Sequence, residues 1–341
     1  MSQPMTTTKP ERDGVLWRRA FAGRASTIWI ATIALFLISP LVAPGSIGRA
    51  ALLSMLPFAA VLAIVSAGQT LVVQQRGLDL SVPGQMAFAA VLATALPVSV
   101  GLPVWFAVAL GIALPGVVGV IVGLLVTKTG TMPLVVTLGT NAVLYGIVLS
   151  VSNGTPTAAS KGLGSFALAK SAGVPNTVLI ALLLLIVVGF ITQRSIVGRR
   201  LTAVGVSERA ARALGLRVDL YQVIAYGFAG LCYGVGGVLL AGYTQNSALF
   251  LGDSYLLPTV AAVVLAGTAL TGGLASVVAA GVAALFLTQL DQLLLSMGWP
   301  ESTQLSAQAL VLILVVLIRA AVPLLTRWRR RRADPRAVAR T

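Results

Sequence analysis

The sequence predicts an all-α, polytopic integral membrane protein with about ten transmembrane helices and both termini in the cytoplasm. Three observations carry that prediction: too few charges for a water-facing surface, a series of apolar runs of bilayer length, and basic residues confined to alternate connections. The 341-residue chain is 57% hydrophobic and 10% charged, where soluble domains carry about 25% charged residues. Such a surface suits lipid. The net charge of +15 would ordinarily point to nucleic acid. Here it lies in short blocks flanking apolar runs and not on a folded basic face, so it reads as a topology signal and excludes nucleic acid as a partner.

An apolar run of about 20 residues crosses the hydrocarbon core as a helix. The runs fall at 27–43, 50–73, 83–100, 104–126, 133–151, 176–193, 221–243, 256–271, 274–294 and 305–323. The eighth is the weakest, because Gly267, Thr268, Thr271, Gly272 and Gly273 interrupt its end. No small-residue cleavage site follows the first, so it reads as a retained span and not a signal peptide. With ten spans and the N-terminus inside, only Arg49, Lys161 and Lys170 of the 24 basic residues face outward. A wrong span count would move the later basic blocks to the other side, so the asymmetry supports an even number. The expected organisation is a cytoplasmic tail (1–26), a transmembrane domain (27–323) and a basic cytoplasmic tail (324–341). One long connection, 152–175, is Ser/Gly/Thr-rich and expected outside; the other, 194–220, is basic and expected inside. The polar, glycine-containing stretches 74–85 and 244–254 form a weak echo of the internal repeats common in transporters.

Several chemistries are missing. No glycine precedes a lysine, so there is no phosphate-binding loop of the Gly-Lys-Ser/Thr kind. The chain has no histidine, which removes the usual zinc and proton-shuttle ligand. Its single cysteine, Cys232, forms no intrachain disulfide and reads as a small buried residue. No catalytic residue, cofactor or metal is expected. Ion-coupled carriers usually need carboxylates within the membrane. Only Asp79 and Asp291 lie near membrane depth, and both are near span ends.

Four features remain. The stretch Arg76–Gly84 (Arg-Gly-Leu-Asp-Leu-Ser-Val-Pro-Gly) breaks the helical pattern. It is either a cytoplasmic turn with Asp79 or Ser81 capping the next helix, or a re-entrant element beside a translocation path. Within the basic connection, Ser207 suits an N-cap, Glu208 a first turn and Gly215 a C′ position. The short helix between them carries Arg209, Arg212 and Leu214 and is too short to stand alone. A segment that only held topology or lay on headgroups would not need such caps, so it points to a cytoplasmic partner. Gly119-x-x-x-Gly123 and Gly230-x-x-x-Gly234 let helices approach closely and read as packing. Gln69, Gln85, Thr137, Thr140, Asn141 and Tyr145 are intramembrane polar residues, the last four on one helix face. They serve either a neutral, hydroxyl-rich solute or interhelical hydrogen bonding.

Taken together the motifs resemble one family. Gly77-Leu-Asp-Leu-Ser-Val82 looks like the Gly-Ile-Asp-Leu-Ser-Val signature of ribose-type ABC importer permeases. Thr137-Leu-Gly-Thr140, Gly198-Arg-Arg200 with Ala203-Val-Gly205, and Ala261–Gly273 are similar to further motifs of that family, in the same order. Pro83, Leu274 and Ala275 depart from its pattern. The resemblance implies a bacterial inner-membrane permease subunit that carries a monosaccharide. It further implies two ATP-binding subunits, a periplasmic or lipid-anchored binding protein, and a second permease subunit, identical or paralogous. Under that reading Gln69, Asp79, Ser81, Gln85, Thr137, Thr140, Asn141 and Tyr145 are path candidates. Gly205, Ser207, Glu208, Arg209, Arg212, Leu214 and Gly215 are candidates for coupling to the ATPase. The alternatives are a secondary carrier or channel for a small neutral solute, and a membrane scaffold without transport.

Overall fold

A computed structural model describes residues 13–300, 302–314 and 317, with side chains from Ser26 onward. The basic tail at 324–341, the end of the last apolar run and the first residues of the N-terminal tail lie outside the described residues. Twelve helices run in order: α1 (Asp13–Val42), α2 (Arg49–Gln74), α3 (Val82–Ser99), α4 (Val104–Thr129), α5 (Pro133–Ser152), α6 (Lys161–Leu168), α7 (Asn176–Arg194), α8 (Ile196–Val206), α9 (Glu208–Ala213), α10 (Val218–Thr244), α11 (Asp253–Leu265) and α12 (Val277–Ser296). A further apolar helix, α13, covers Ser302–Leu314.

Seven of the described helices (α2–α5, α7, α10 and α12) are long and apolar enough to cross a membrane. The other three predicted runs fall on the shorter apolar helices Ser26–Val42, Asp253–Leu265 and Ser302–Leu314. The eighth run ends early. Helix α11 stops at Leu265, and Gly267, Gly272 and Gly273 then take left-handed backbone that a continuing helix cannot use. At 13 residues, α11 is about 20 Å long, short of the roughly 30 Å of hydrocarbon.

Burial ranks the helices. In α3, 78% of the apolar window is enclosed, against 17% in α5, so α3 is central and α5 peripheral. The main core gathers α2, α10, α11 and α12. The tightest seam is α4 against α10, where the small-residue rows meet each other. A Cβ on Gly119 would lie 2.2 Å from the Tyr226 carbonyl oxygen, and one on Gly230 2.1 Å from that of Pro115. Only hydrogen fits at such a crossing.

The long connection at 152–175 is more ordered than its composition implies. It contains α6, whose N-cap Ser160 accepts from Leu163 N–H, and α6 packs through Leu163 and Ala167 on Gly242 of α10. Two small antiparallel ribbons accompany the otherwise helical fold. One pairs β1 (Thr157–Ala158) with β4 (Asn246–Ser247) and ties this connection to the end of α10. The other pairs β2 (Lys170–Ser171) with β3 (Val174–Pro175).

Candidate functional site

Helix α2 ends in a doubly bonded turn. Gly77 N–H donates to the Val72 carbonyl and Arg76 N–H to that of Val73, the Schellman pattern. The residue in the left-handed position is Arg76 (φ 65°) where glycine would be easiest. Its guanidinium reaches across to α8 and donates to the carbonyls of Gly205 (3.2 Å) and Val206 (2.7 Å). Those are orphan acceptors at a helix C-terminus, which favour a cation.

The chain then turns inward. Gln85, one turn into α3, packs against Gly230, the midpoint of α10, so α3 begins well inside the bundle. The irregular backbone between is enclosed by protein, the condition on which such backbone survives at membrane depth. Asp79 and Ser81 are both fully buried. Asp79 Oδ1 accepts from Ser81 N–H (2.9 Å) and Ser81 Oγ (2.5 Å), and Ser81 Oγ accepts from Gln85 Nε2 (2.7 Å). Ser81 is thus the N-cap position of α3, but its hydroxyl serves Asp79 instead of the helix. Nearby, Tyr233 OH donates to Gln69 Oε1 (2.7 Å). Asp79 Oδ2, Gln85 Oε1, Gln69 Nε2 and Tyr226 OH have no hydrogen-bond partner among the described residues. The result is a buried polar cluster between α2, α3 and α10.

Helix α5 braces this region. Its inward face carries Thr137, Thr140, Asn141 and Tyr145. Asn141 Oδ1 accepts from Gly84 N–H (2.8 Å), an orphan donor of α3. Thr137 Oγ1 lies 3.4 Å from the Leu78 carbonyl. Thr140 bonds within its own helix, to the Val136 carbonyl (2.8 Å). Tyr145 OH donates to the carboxylate of Asp253, the first residue of α11. The two stretches singled out as an echo meet here. A Cβ on Gly252 would lie 2.4 Å from the Pro83 carbonyl oxygen, so the starts of α3 and α11 touch.

The basic connection folds as α8 and α9 on the Gln74 end of the bundle. Ser207 Oγ accepts from Ala210 N–H, capping α9. Gly215 (φ 77°) closes it, with Leu216 N–H donating to Ala211 and Gly215 N–H to Arg212. Glu208 Oε1 accepts from Gln222 Nε2 of α10 (3.1 Å). Arg212 pairs with Asp219 at 2.7 Å. Arg209 and Leu214 are exposed. Gly205 is buried against the Gln74 carbonyl oxygen, 2.2 Å from where its Cβ would be. Gln74 Nε2 donates to Thr202 Oγ1 (3.1 Å), Gln75 Nε2 to the Leu201 carbonyl (3.0 Å), and Gly273 N–H to the Gln74 carbonyl (3.0 Å). The connection, the end of α2 and the loop after α11 are thus stitched together.

Residues 51–318 match the family described as "Branched-chain amino acid transport system / permease component". The chain belongs to this permease family. The permease is 32% identical to the ribose import permease protein of Bacillus subtilis, over 78% of this chain and 84% of that one. It is 35% identical to a probable ABC transporter permease protein of Sinorhizobium fredii, over 75% and 77% of the two chains. It is 31% identical to an autoinducer 2 import system permease protein of an Enterobacter species, over 86% and 93%. No solved structure matches the permease.

Two parts of the permease escaped the sequence reading. One is the contact made by the Gln74-Gln75-Arg76 triplet, at the start of the polar stretch 74–85, which stitches α2 to α8; three consecutive polar residues ending an apolar helix were the available signal. The other is a cleft of about 880 Å³ at the opposite end, floored by the start of α11 and lined by Asp291 and Gln308. Asp291 stood out only as a carboxylate near a span end, and Gln308 not at all.

Proposed function

We propose that this chain is the permease subunit of an ATP-driven importer that carries a monosaccharide across the bacterial inner membrane. One observation supports it most. The capped helix α9 follows directly on α8, and α8 is bonded to the end of α2 and through Arg76 to the backbone that enters the buried polar cluster. A push on the exposed Arg209 and Leu214 surface would move that cluster without any nucleotide site on this chain. On this reading the chain crosses the membrane ten times with both termini cytoplasmic, α11 and the irregular stretch before it making one crossing together, and the basic connection faces separate ATP-binding subunits. A periplasmic or lipid-anchored binding protein delivers solute at the other end, and a second permease subunit, identical or paralogous, completes the complex. Asp79, Ser81, Gln85 and Gln69, with the Thr137, Thr140, Asn141 and Tyr145 face of α5, form the element that rearranges during transport. Gly205, Ser207, Glu208, Arg209, Arg212, Leu214 and Gly215 form the coupling surface. The relatives named for ribose and autoinducer 2 import support a sugar cargo.

The test is energetic. Cells carrying the complete transporter take up a radiolabelled monosaccharide. Inactivating the ATP-binding partner is expected to abolish uptake, and collapsing the proton gradient with ATP maintained is expected to leave it intact. Uptake that follows the gradient and ignores the ATPase would replace this reading with a secondary carrier.

A further inference from the structure

The cleft opposite the coupling end is built differently from a lipid-facing groove. Its walls come from the first half of α2, the last turns of α10 and α12, and α13. Its floor is the first turns of α11, the helix that begins inside the bundle. The aromatic rings of Phe58, Tyr255 and Trp299 face it. Asp291 and Gln308 form its polar centre. Gln308 Nε2 donates to both carboxylate oxygens, at 2.7 and 2.6 Å, while Gln308 Oε1 is buried and has no hydrogen-bond partner among the described residues. An ionisable side chain at membrane depth is costly and marks a solute route more often than packing. A volume of about 880 Å³ lies in the range of small-molecule sites.

The chemistry selects the solute. Aromatic faces stack on the C–H faces of a sugar ring, and a carboxylate that an amide holds in place accepts hydrogen bonds from vicinal hydroxyls. Among the described residues no lysine or arginine lines the cleft, so they offer a solute carboxylate no cation. The positive end of α11 is already matched by Asp253 in its first turn. An amino-acid zwitterion would therefore leave its carboxylate unpaired here, whereas a neutral polyol would not.

We propose that this cleft is the outward-facing solute subsite, taking a neutral monosaccharide with Asp291 and Gln308 as its hydroxyl-binding centre. This rests on the importer reading above, and the experiment separates the two. Cells deleted for this chain but holding the rest of the transporter are complemented with wild type, D291N, Q308L or W299A. Uptake of labelled D-ribose, D-xylose, D-galactose and L-leucine is then measured, with permease content of the membrane quantified for each variant. The expected result is sugar uptake by wild type. D291N and W299A raise KM or change the ratio between sugars by about ten- to a hundredfold at unchanged permease content. A second readout needs no transport. Cys232 is buried, so Thr288→Cys in the cleft wall becomes the reactive thiol toward a membrane-impermeant maleimide added outside. D-ribose is expected to slow that labelling and L-leucine is not. Wild-type uptake with unchanged KM and selectivity in every variant, or labelling that D-ribose leaves unchanged, overturns the subsite alone. Absence of sugar uptake by wild type overturns the sugar reading and the subsite with it.

Discussion

Replacing Arg76 separates its two roles, because the residue is both strained and bonded. Its left-handed backbone (φ 65°) costs about 1 kcal/mol in any residue but glycine. Its guanidinium makes two charge-assisted hydrogen bonds to the end of α8, one part-buried and one exposed. Bonds to charged groups are worth about 1.5–3 kcal/mol each when enclosed, and solvent reduces the exposed one, leaving about 1–2 kcal/mol for the pair. Arg76→Ala keeps the strain and loses the bonds. Arg76→Gly loses the bonds and relieves the strain, so the two opposing changes nearly cancel in stability. Both variants are expected to loosen the link between α8 and the loop equally, by a factor of roughly 5 to 30 in its equilibrium. The assay is sugar transported per ATP hydrolysed in proteoliposomes holding the whole transporter, beside the thermal stability of the purified complex. Arg76→Gly should match wild type in stability and Arg76→Ala in uncoupling. If Arg76→Gly restores coupling, backbone strain and not the clamp carries the signal. If neither variant changes coupling, the proposed link from α8 through Arg76 to the polar cluster is refuted.

Three further outcomes follow from the geometry. Gly230→Val drives a side chain into the Pro115 carbonyl, and is expected to cost about 3 kcal/mol and abolish monodisperse permease in detergent, while Gly139→Ala, where open space surrounds the position, leaves it unchanged. Tyr233→Phe strands the buried Gln69 carbonyl oxygen and should cost about 1–3 kcal/mol, whereas the double variant with Gln69→Leu recovers most of that in a double-mutant cycle of thermal stability. Ser207→Ala removes the α9 cap and Gly215→Ala forces alanine into left-handed backbone, each costing α9 about 1 kcal/mol. Reduced co-purification of the ATP-binding subunit, with normal membrane content, is the expected result; normal co-purification in both would remove α9 from the coupling surface.

Hydropathy placed every described helix that crosses the bundle, because the drive to leave water is local and additive along a run. The α9 caps were equally legible, since Ser207 and Gly215 satisfy backbone groups within a few residues of themselves. The inward face of α5 was readable from helical spacing alone, as four polar side chains on one side of an apolar helix leave only one side for lipid. Helix α6 was not legible. Its eight residues are held by packing on Gly242 of α10, a contact that no local pattern records.

By itself, the sequence determined that the chain spans a membrane repeatedly, where most of its helices lie, which connection carries a capped helix, and that the chain has no phosphate-binding loop of the Gly-Lys type. The tertiary structure alone decided what those helices do to one another. It set the Gly119 and Gly230 rows face to face, brought Pro83 against Gly252 so that two helices begin inside the bundle, clamped Arg76 onto α8, and paired Asp291 with Gln308 across a cleft. The reason is physical. Burial and capping act over a few residues and leave a periodic trace in the sequence, whereas a hydrogen bond between residues 129 positions apart, as between Arg76 and Gly205, exists only once the fold has closed the loop between them.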